Sequence, residues 1–184
     1  MKNLRLILPS LALAALTASG CWLVSGQFTV SIDLATPMNV DSGANIVVGA
    51  QIDLNTEKDY KDHKSNLKGI VDCALLGKIT NTGTGSVNVV VYLTPALTPH
   101  TTPAQLTADA TKTQLWGPLA LAAGASKVIG WDESAALFTK AGKAALLSEV
   151  KGDGAFTIYA VGATAPYKLR LENGVAVIVI DAAK

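Results

Sequence analysis

Residues able to hold a metal, attack a carbonyl or stack on a sugar are few in this chain. The densest run is Asp59-Tyr60-Lys61-Asp62-His63-Lys64. Metal sites gather His, Cys or carboxylates, and Asp59, Asp62 and His63 could share one turn. Lys58, Lys61 and Lys64 interleave with them, so the run reads as a solvated loop, and His100 is far along the chain. Ser65-Asn66-Leu67-Lys68 has the Ser-x-x-Lys spacing in which a lysine helps a serine attack an acyl group. The Ser-Asp-Asn and Lys-Thr-Gly elements that complete such a site are absent, so the pattern reads as coincidence. There is no Gly-x-Ser-x-Gly elbow or phosphate loop, and no carboxylate pair stands out for glycoside hydrolysis. Sugar-binding sandwiches use aromatic platforms, yet aromatics are only 5% of the chain. Trp116 and Trp131, each beside a turn flanking a short strand, are the candidate ligand-binding pair. The competing expectation is that they pack at the edge of the core. No catalytic residue, metal ligand or cofactor is assigned.

The strongest chemistry lies near the start. Lys2 and Arg5 precede an apolar run from Leu6 to Leu16. At about 11 residues it is too short for a membrane-spanning helix, which needs about 20. A basic start, a short apolar run and small residues together read as an export signal over residues 1–20. Leu16-Thr17-Ala18-Ser19-Gly20-Cys21 resembles the lipobox of bacterial lipoprotein precursors, with Ala18 where Leu is commoner. The resemblance implies cleavage before Cys21 and a diacylglyceryl thioether on its sulfur. Two or three acyl chains anchor durably where one does not. Trp22, rather than Asp, follows the cysteine, which by the same resemblance implies the outer membrane in a Gram-negative source. An ordinary signal peptide, with Cys21 incidental, is the alternative.

Composition narrows the rest. Removing Lys2 and Arg5 takes the formal charge from +1 to −1, which gives no electrostatic case for nucleic acid. The remaining chain suffices for one domain with a real core. Of the two cysteines, lipid on Cys21 leaves Cys73 unpaired, and its place in an alternating run with Val71, Leu75 and Ile79 facing the same way puts it in the core. A Cys21–Cys73 disulfide is the rival, and it requires an unused lipobox.

Period-two alternation predicts strands around Phe28–Leu34, Ile46–Leu54, Ile70–Thr80 and Val87–Leu93. Residues 55–68 form a surface loop or short helix. The Asn81–Ser86 turn suggests that the strands on either side form a hairpin. Residues 94–112 look loop-like. Gln114–Leu121 and Ser126–Trp131 look extended, and one helix is expected from a cap at Asp132 or Ser134 to about Val150. Strands follow at Phe156–Val161, Tyr167–Leu171 and Val175–Asp181. The last two form an Asn173-Gly174 hairpin or one bulged strand.

The expected fold is all-β, an antiparallel sandwich of about eight or nine strands with one inserted helix. Residues 1–20 are the signal, 21–26 a short lipidated tether, and 27–184 one domain. Gly69–Pro95, which contains Ile-Thr-Asn-Thr-Gly-Thr-Gly-Ser-Val-Asn-Val-Val-Val-Tyr-Leu, resembles the strand–turn–strand core of immunoglobulin-like bacterial surface modules. The expected function is that of a non-enzymatic cell-envelope lipoprotein, an interaction or structural module at the membrane surface. Its partners would be the membrane, through the lipid, and an envelope protein or glycan. The alternative is a module binding a carbohydrate or small apolar ligand through Trp116, Trp131 and nearby loops.

Overall fold

The structure is a computed structural model that describes residues 25–35, 37–95, 97 and 99–183. The signal, Cys21 and most of the expected tether lie outside the described residues. Along the chain come β1 (Ser25–Asp33), β2 (Met38–Asp41), β3 (Gly49–Asp53), α1 (Lys58–His63), β4 (Leu67–Asn81) and β5 (Val87–Thr94). They are followed by α2 (Pro103–Ala108), β6 (Thr113–Leu121), β7 (Ser126–Ile129), α3 (Trp131–Leu137), α4 (Lys140–Lys151), β8 (Ala155–Gly162) and β9 (Lys168–Ala183). Short 3-10 turns at Leu54–Thr56 and Lys64–Asn66 flank α1.

Alternation sets the two layers. In β1, Val30 is buried and Phe28 and Ile32 are half-buried, while Gln27, Thr29 and Ser31 face water. β9 organises the first sheet. Its Val175–Ala183 half pairs with β1 and its Lys168–Leu171 portion with β2. Its other edge pairs with β4, which carries β7 beyond it. The second sheet runs β3–β8–β5–β6. Every pairing is antiparallel. The inner faces meet in one core, where Val30, Cys73 and Ile178 of the first sheet join Ile52, Phe156 and Ile158 of the second. Among the described residues, nine strands thus form an antiparallel β-sandwich, the all-β class that the alternation predicts.

Several local expectations need correction. β4 and β5 are not a hairpin, because they belong to different sheets. The turn between them is tied down by Asn81, which is buried. Its Nδ2 donates to the carbonyls of Gly85 (2.8 Å) and Ala122 (3.0 Å), and its Oδ1 accepts from the Gly83 N–H (3.0 Å). The crossing is thereby fastened to the β6–β7 turn. Residues 168–183 are one bulged strand, with Asn173 at φ 53°. Val71 does not share the inward face of Cys73 and Ile79. The β4–β9 register slips between Ile70 and Asp72, which turns Val71 out to 50% exposure.

Among the described residues there are four α-helices, where one inserted helix and a loop or short helix over 55–68 were expected. The helix predicted to reach Val150 is broken at Phe138, which is extended and bridges to Trp116. Thr139 then caps α4, its Oγ1 accepting from Gly142 N–H (2.8 Å) and donating to the Gln114 carbonyl (2.6 Å). α2 carries a capping box of Thr102 and Gln105. None of the helices among the described residues is long and apolar enough to cross a membrane.

Candidate functional site

The two candidate tryptophans occupy different environments. Trp116 is 1% exposed in β6, and its Nε1–H donates to the Ser134 carbonyl (3.0 Å) and Oγ (3.2 Å). Trp131 is 36% exposed at the start of α3 and donates to Asp72 Oδ2 (2.9 Å). A shared surface patch is therefore ruled out, because a bonded buried indole offers no face to a surface ligand. Trp116 instead helps line an internal cleft between the sheets.

That cleft follows from how β9 is paired. β1 covers β9 from Val175 onward and β2 covers it up to Leu171, so Glu172–Gly174 face the β1–β2 corner without a ladder. A single bond from the Leu34 N–H to the Gly174 carbonyl (2.8 Å) holds the corner. On its other edge the β4 register slips between Leu76 and Lys78. Gly77 there has φ +141°, and a Cβ on it would meet the Glu172 and Asn173 carbonyls at 3.0 and 3.1 Å. Only glycine suits that backbone and that approach. A bulge of this kind bends the strand and interrupts its ladder.

Behind the bulge the cleft is lined by core residues of both sheets, among them Met38, Ala50, Val91, Trp116, Ile129 and Ala160. Its interior is narrow, with a cavity of about 50 Å³. Lys78 and Glu172 are the charged members of the lining and mark the mouth. Lys78 Nζ lies 3.3 Å from Glu172 Oε2, and Arg170 Nη2 lies 3.0 Å from Glu172 Oε1. The bond from Lys78, aided by the Arg170 charge, holds the Glu172 carboxyl below its ordinary range. One carboxylate is thus shared by two cations.

The other candidate groups have structural partners. His63 Nδ1 is 2.8 Å from the Asp59 carbonyl, its ring stacks on Phe28, and Asp62 pairs with Lys58. Among the described residues no group of three or more His, Cys, Asp or Glu gathers as a metal site would. Ser65 and Lys68 are both exposed. His100 Nε2 lies 2.8 Å from Asp109 Oδ2, its ring stacks on Tyr159, and its backbone N–H donates to the Tyr159 hydroxyl (2.8 Å). The His100 bond, then that of the Thr111 hydroxyl, draws the Asp109 carboxyl down to about 2. Cys73 is 1% exposed, and burial pushes its thiol up to about 12, which makes it inert.

Trp116 in the cleft could be found from sequence only as a core aromatic. The bulge that opens the cleft was visible as Asn173-Gly174, a signal equally suited to a hairpin turn. No protein-family model matches the chain, and no curated protein matches it.

Proposed function

We propose that the chain is a cell-envelope lipoprotein, exported by residues 1–20 and lipidated on Cys21. Its immunoglobulin-like sandwich is a non-enzymatic interaction or structural module held at the membrane surface. The observation that carries this reading is the start of β1 at Ser25, two residues before the expected start of the domain at Gln27. Only Trp22, Leu23 and Val24 separate it from Cys21. Fully extended, that connection reaches about 14 Å at roughly 3.5 Å per residue. All three residues are apolar, and tryptophan favours the headgroup interface. A sandwich so tethered meets partners at the membrane, either an envelope protein or a glycan. Trp22 after the cysteine supports the outer membrane in a Gram-negative cell. The near-neutral charge supports no role with nucleic acid.

Palmitate labelling tests the anchor. Cys21→Ser is expected to abolish labelling and to leave precursor or soluble product. Equal labelling of wild type and variant overturns the proposal. The second reading, a module for a small apolar ligand, would use the narrow cleft that Trp116 lines. The sugar version is weaker, because Trp131 alone remains on the surface.

A further inference from the structure

We infer that the outer edge of β1 pairs with β1 of a second copy of this chain, joining two sandwiches through one continuous antiparallel sheet. The inference goes beyond the lipoprotein reading and does not rest on lipid at Cys21. Antiparallel strands turn the backbone groups of alternate residues toward opposite edges. The Leu34 N–H bonds to the Gly174 carbonyl, and the register from Asp33↔Val175 back to Ser25↔Ala183 continues that pair without a slip. Gly26, Phe28, Val30 and Ile32 therefore bond to β9. Gln27, Thr29, Ser31 and Asp33 aim their N–H and C=O groups away from it, where no strand lies among the described residues.

Among the described residues the other edges are guarded or short. On β4, Asp72 Oδ1 accepts from the Cys73 N–H (2.8 Å) and Ser134 Oγ from the Leu75 N–H (2.7 Å). On β6, the Leu115 carbonyl accepts from the Thr139 N–H (3.0 Å), and Pro118 has no N–H to offer. β2, β3 and β7 have only four, five and four residues. β1 has nine residues, with no bulge, no Pro and no Lys or Arg. Those are the devices that keep an edge from pairing.

A second copy fits this edge because the strand is complementary to itself. A two-fold axis at Thr29 sets Thr29 opposite its own copy, Gln27 opposite Ser31 and Asp33 opposite Ser25. The strand's one charge then meets no like charge, and threonine pairs favour such a position. On the inner face the same axis sets Phe28 beside Val30 and Ile32 beside Gly26, larger against smaller. Phe28 and Ile32, half-buried in the single chain, gain cover. The axis is perpendicular to the sheet, so both Ser25 ends lie at one height and both tethers reach one bilayer.

The full chain in neutral detergent is expected to show a reversible dimer by sedimentation equilibrium. Thr29→Pro deletes one outward N–H per copy and spares the β9 ladder, so it should weaken the dimer about tenfold or more. Thr29→Lys sets two like charges face to face, with the same expected direction, and serves if Thr29→Pro fails to fold. Both should leave the far-UV circular dichroism unchanged. Opposed Cα atoms in a hydrogen-bonded pair lie about 5.5 Å apart, within the span of a disulfide. In a Cys73→Ala background, Thr29→Cys should therefore oxidise to a covalent dimer faster than Val128→Cys. Val128 is exposed on β7, and its variant reads any contribution from Cys21. The inference is overturned by a monomer at every concentration, by wild-type dimer strength in both Thr29→Pro and Thr29→Lys, or by equal cross-linking of the two cysteine variants. It is also overturned if Thr29→Cys, oxidised in membranes of expressing cells, joins another protein and not its own copy. Palmitate labelling reads the anchor separately, so failure of one reading leaves the other standing.

Discussion

The Trp116 indole N–H reaches Ser134, and the Ser134 hydroxyl also accepts the backbone N–H of Leu75 at 2.7 Å. One buried serine on α3 therefore joins β6 of the second sheet to β4 of the first. Beyond β9, β4 pairs with β7 only over Gly77–Thr80, so its edge at Leu75 has no strand beside it. Ser134 supplies the acceptor that a missing strand would have provided, as buried backbone groups require.

Ser134→Ala should accordingly cost about 1–3 kcal/mol, because it takes the acceptor from the part-buried Leu75 N–H. Trp116 keeps the Ser134 carbonyl, so the loss falls mainly on β4. Urea denaturation monitored by Trp fluorescence measures it. A change within about 0.5 kcal/mol, the range of ordinary surface substitutions, would deny Ser134 this role.

Gly142→Ala reverses the sign that helix propensity gives. In a free helix alanine is favoured over glycine by about 1 kcal/mol. In α4 a Cβ at position 142 would lie 2.5 Å from the Leu115 Cα and carbonyl oxygen, and backbone cannot step aside cheaply. The substitution should destabilise by about 1–3 kcal/mol, the usual cost of overpacking. A raised melting temperature would show that α4 can lift from β6.

These two positions show what was legible. Alternation exposed β1, β5 and β8, because each buries one face or both over enough residues to set a period. It missed β2, since Met38-Asn39-Val40-Asp41 is too short to declare one. It placed Val71 inward, because a bulge in β4 depends on the register against β9 and leaves no local mark. The β4–β5 hairpin failed for a similar reason. Asn81 looked like a turn residue, and its bonds to Gly85 and Ala122 become visible only when distant strands meet. For the candidate site, Trp116 and Trp131 were paired because each stands beside a turn, and the structure separates them. Their separation was set by the break at Phe138 and by Ser134, neither of which carries a periodic signal.

Asp109 gives a pH dependence whose direction can be worked out. Its carboxyl is drawn from an ordinary 3.8 down to about 2, first by His100 and then by Thr111. A depressed carboxylate contributes stability that is present above the unfolded value and lost as pH falls through the folded one. Wild type should therefore lose melting temperature between about pH 4 and pH 2. Asp109→Asn should start lower at pH 6 and fall less steeply over that window. Parallel curves for the two proteins would show that the bond to His100 adds nothing to folding.

The central claim, a sandwich tethered directly at the bilayer, is tested by distance. Ser31 is exposed on β1, so Ser31→Cys in a Cys73→Ala background accepts a donor dye while Cys21 stays free for lipid. Energy transfer to acceptor lipids is then measured in vesicles carrying the processed protein. The strand from Ser25 to Ser31 adds about 20 Å to the connection at roughly 3.3 Å per residue. The account predicts a donor within about 35 Å of the headgroups by the same extended-chain reckoning. A separation well beyond about 50 Å, or no transfer at all, would contradict it, since no extension of so short a connection reaches that far.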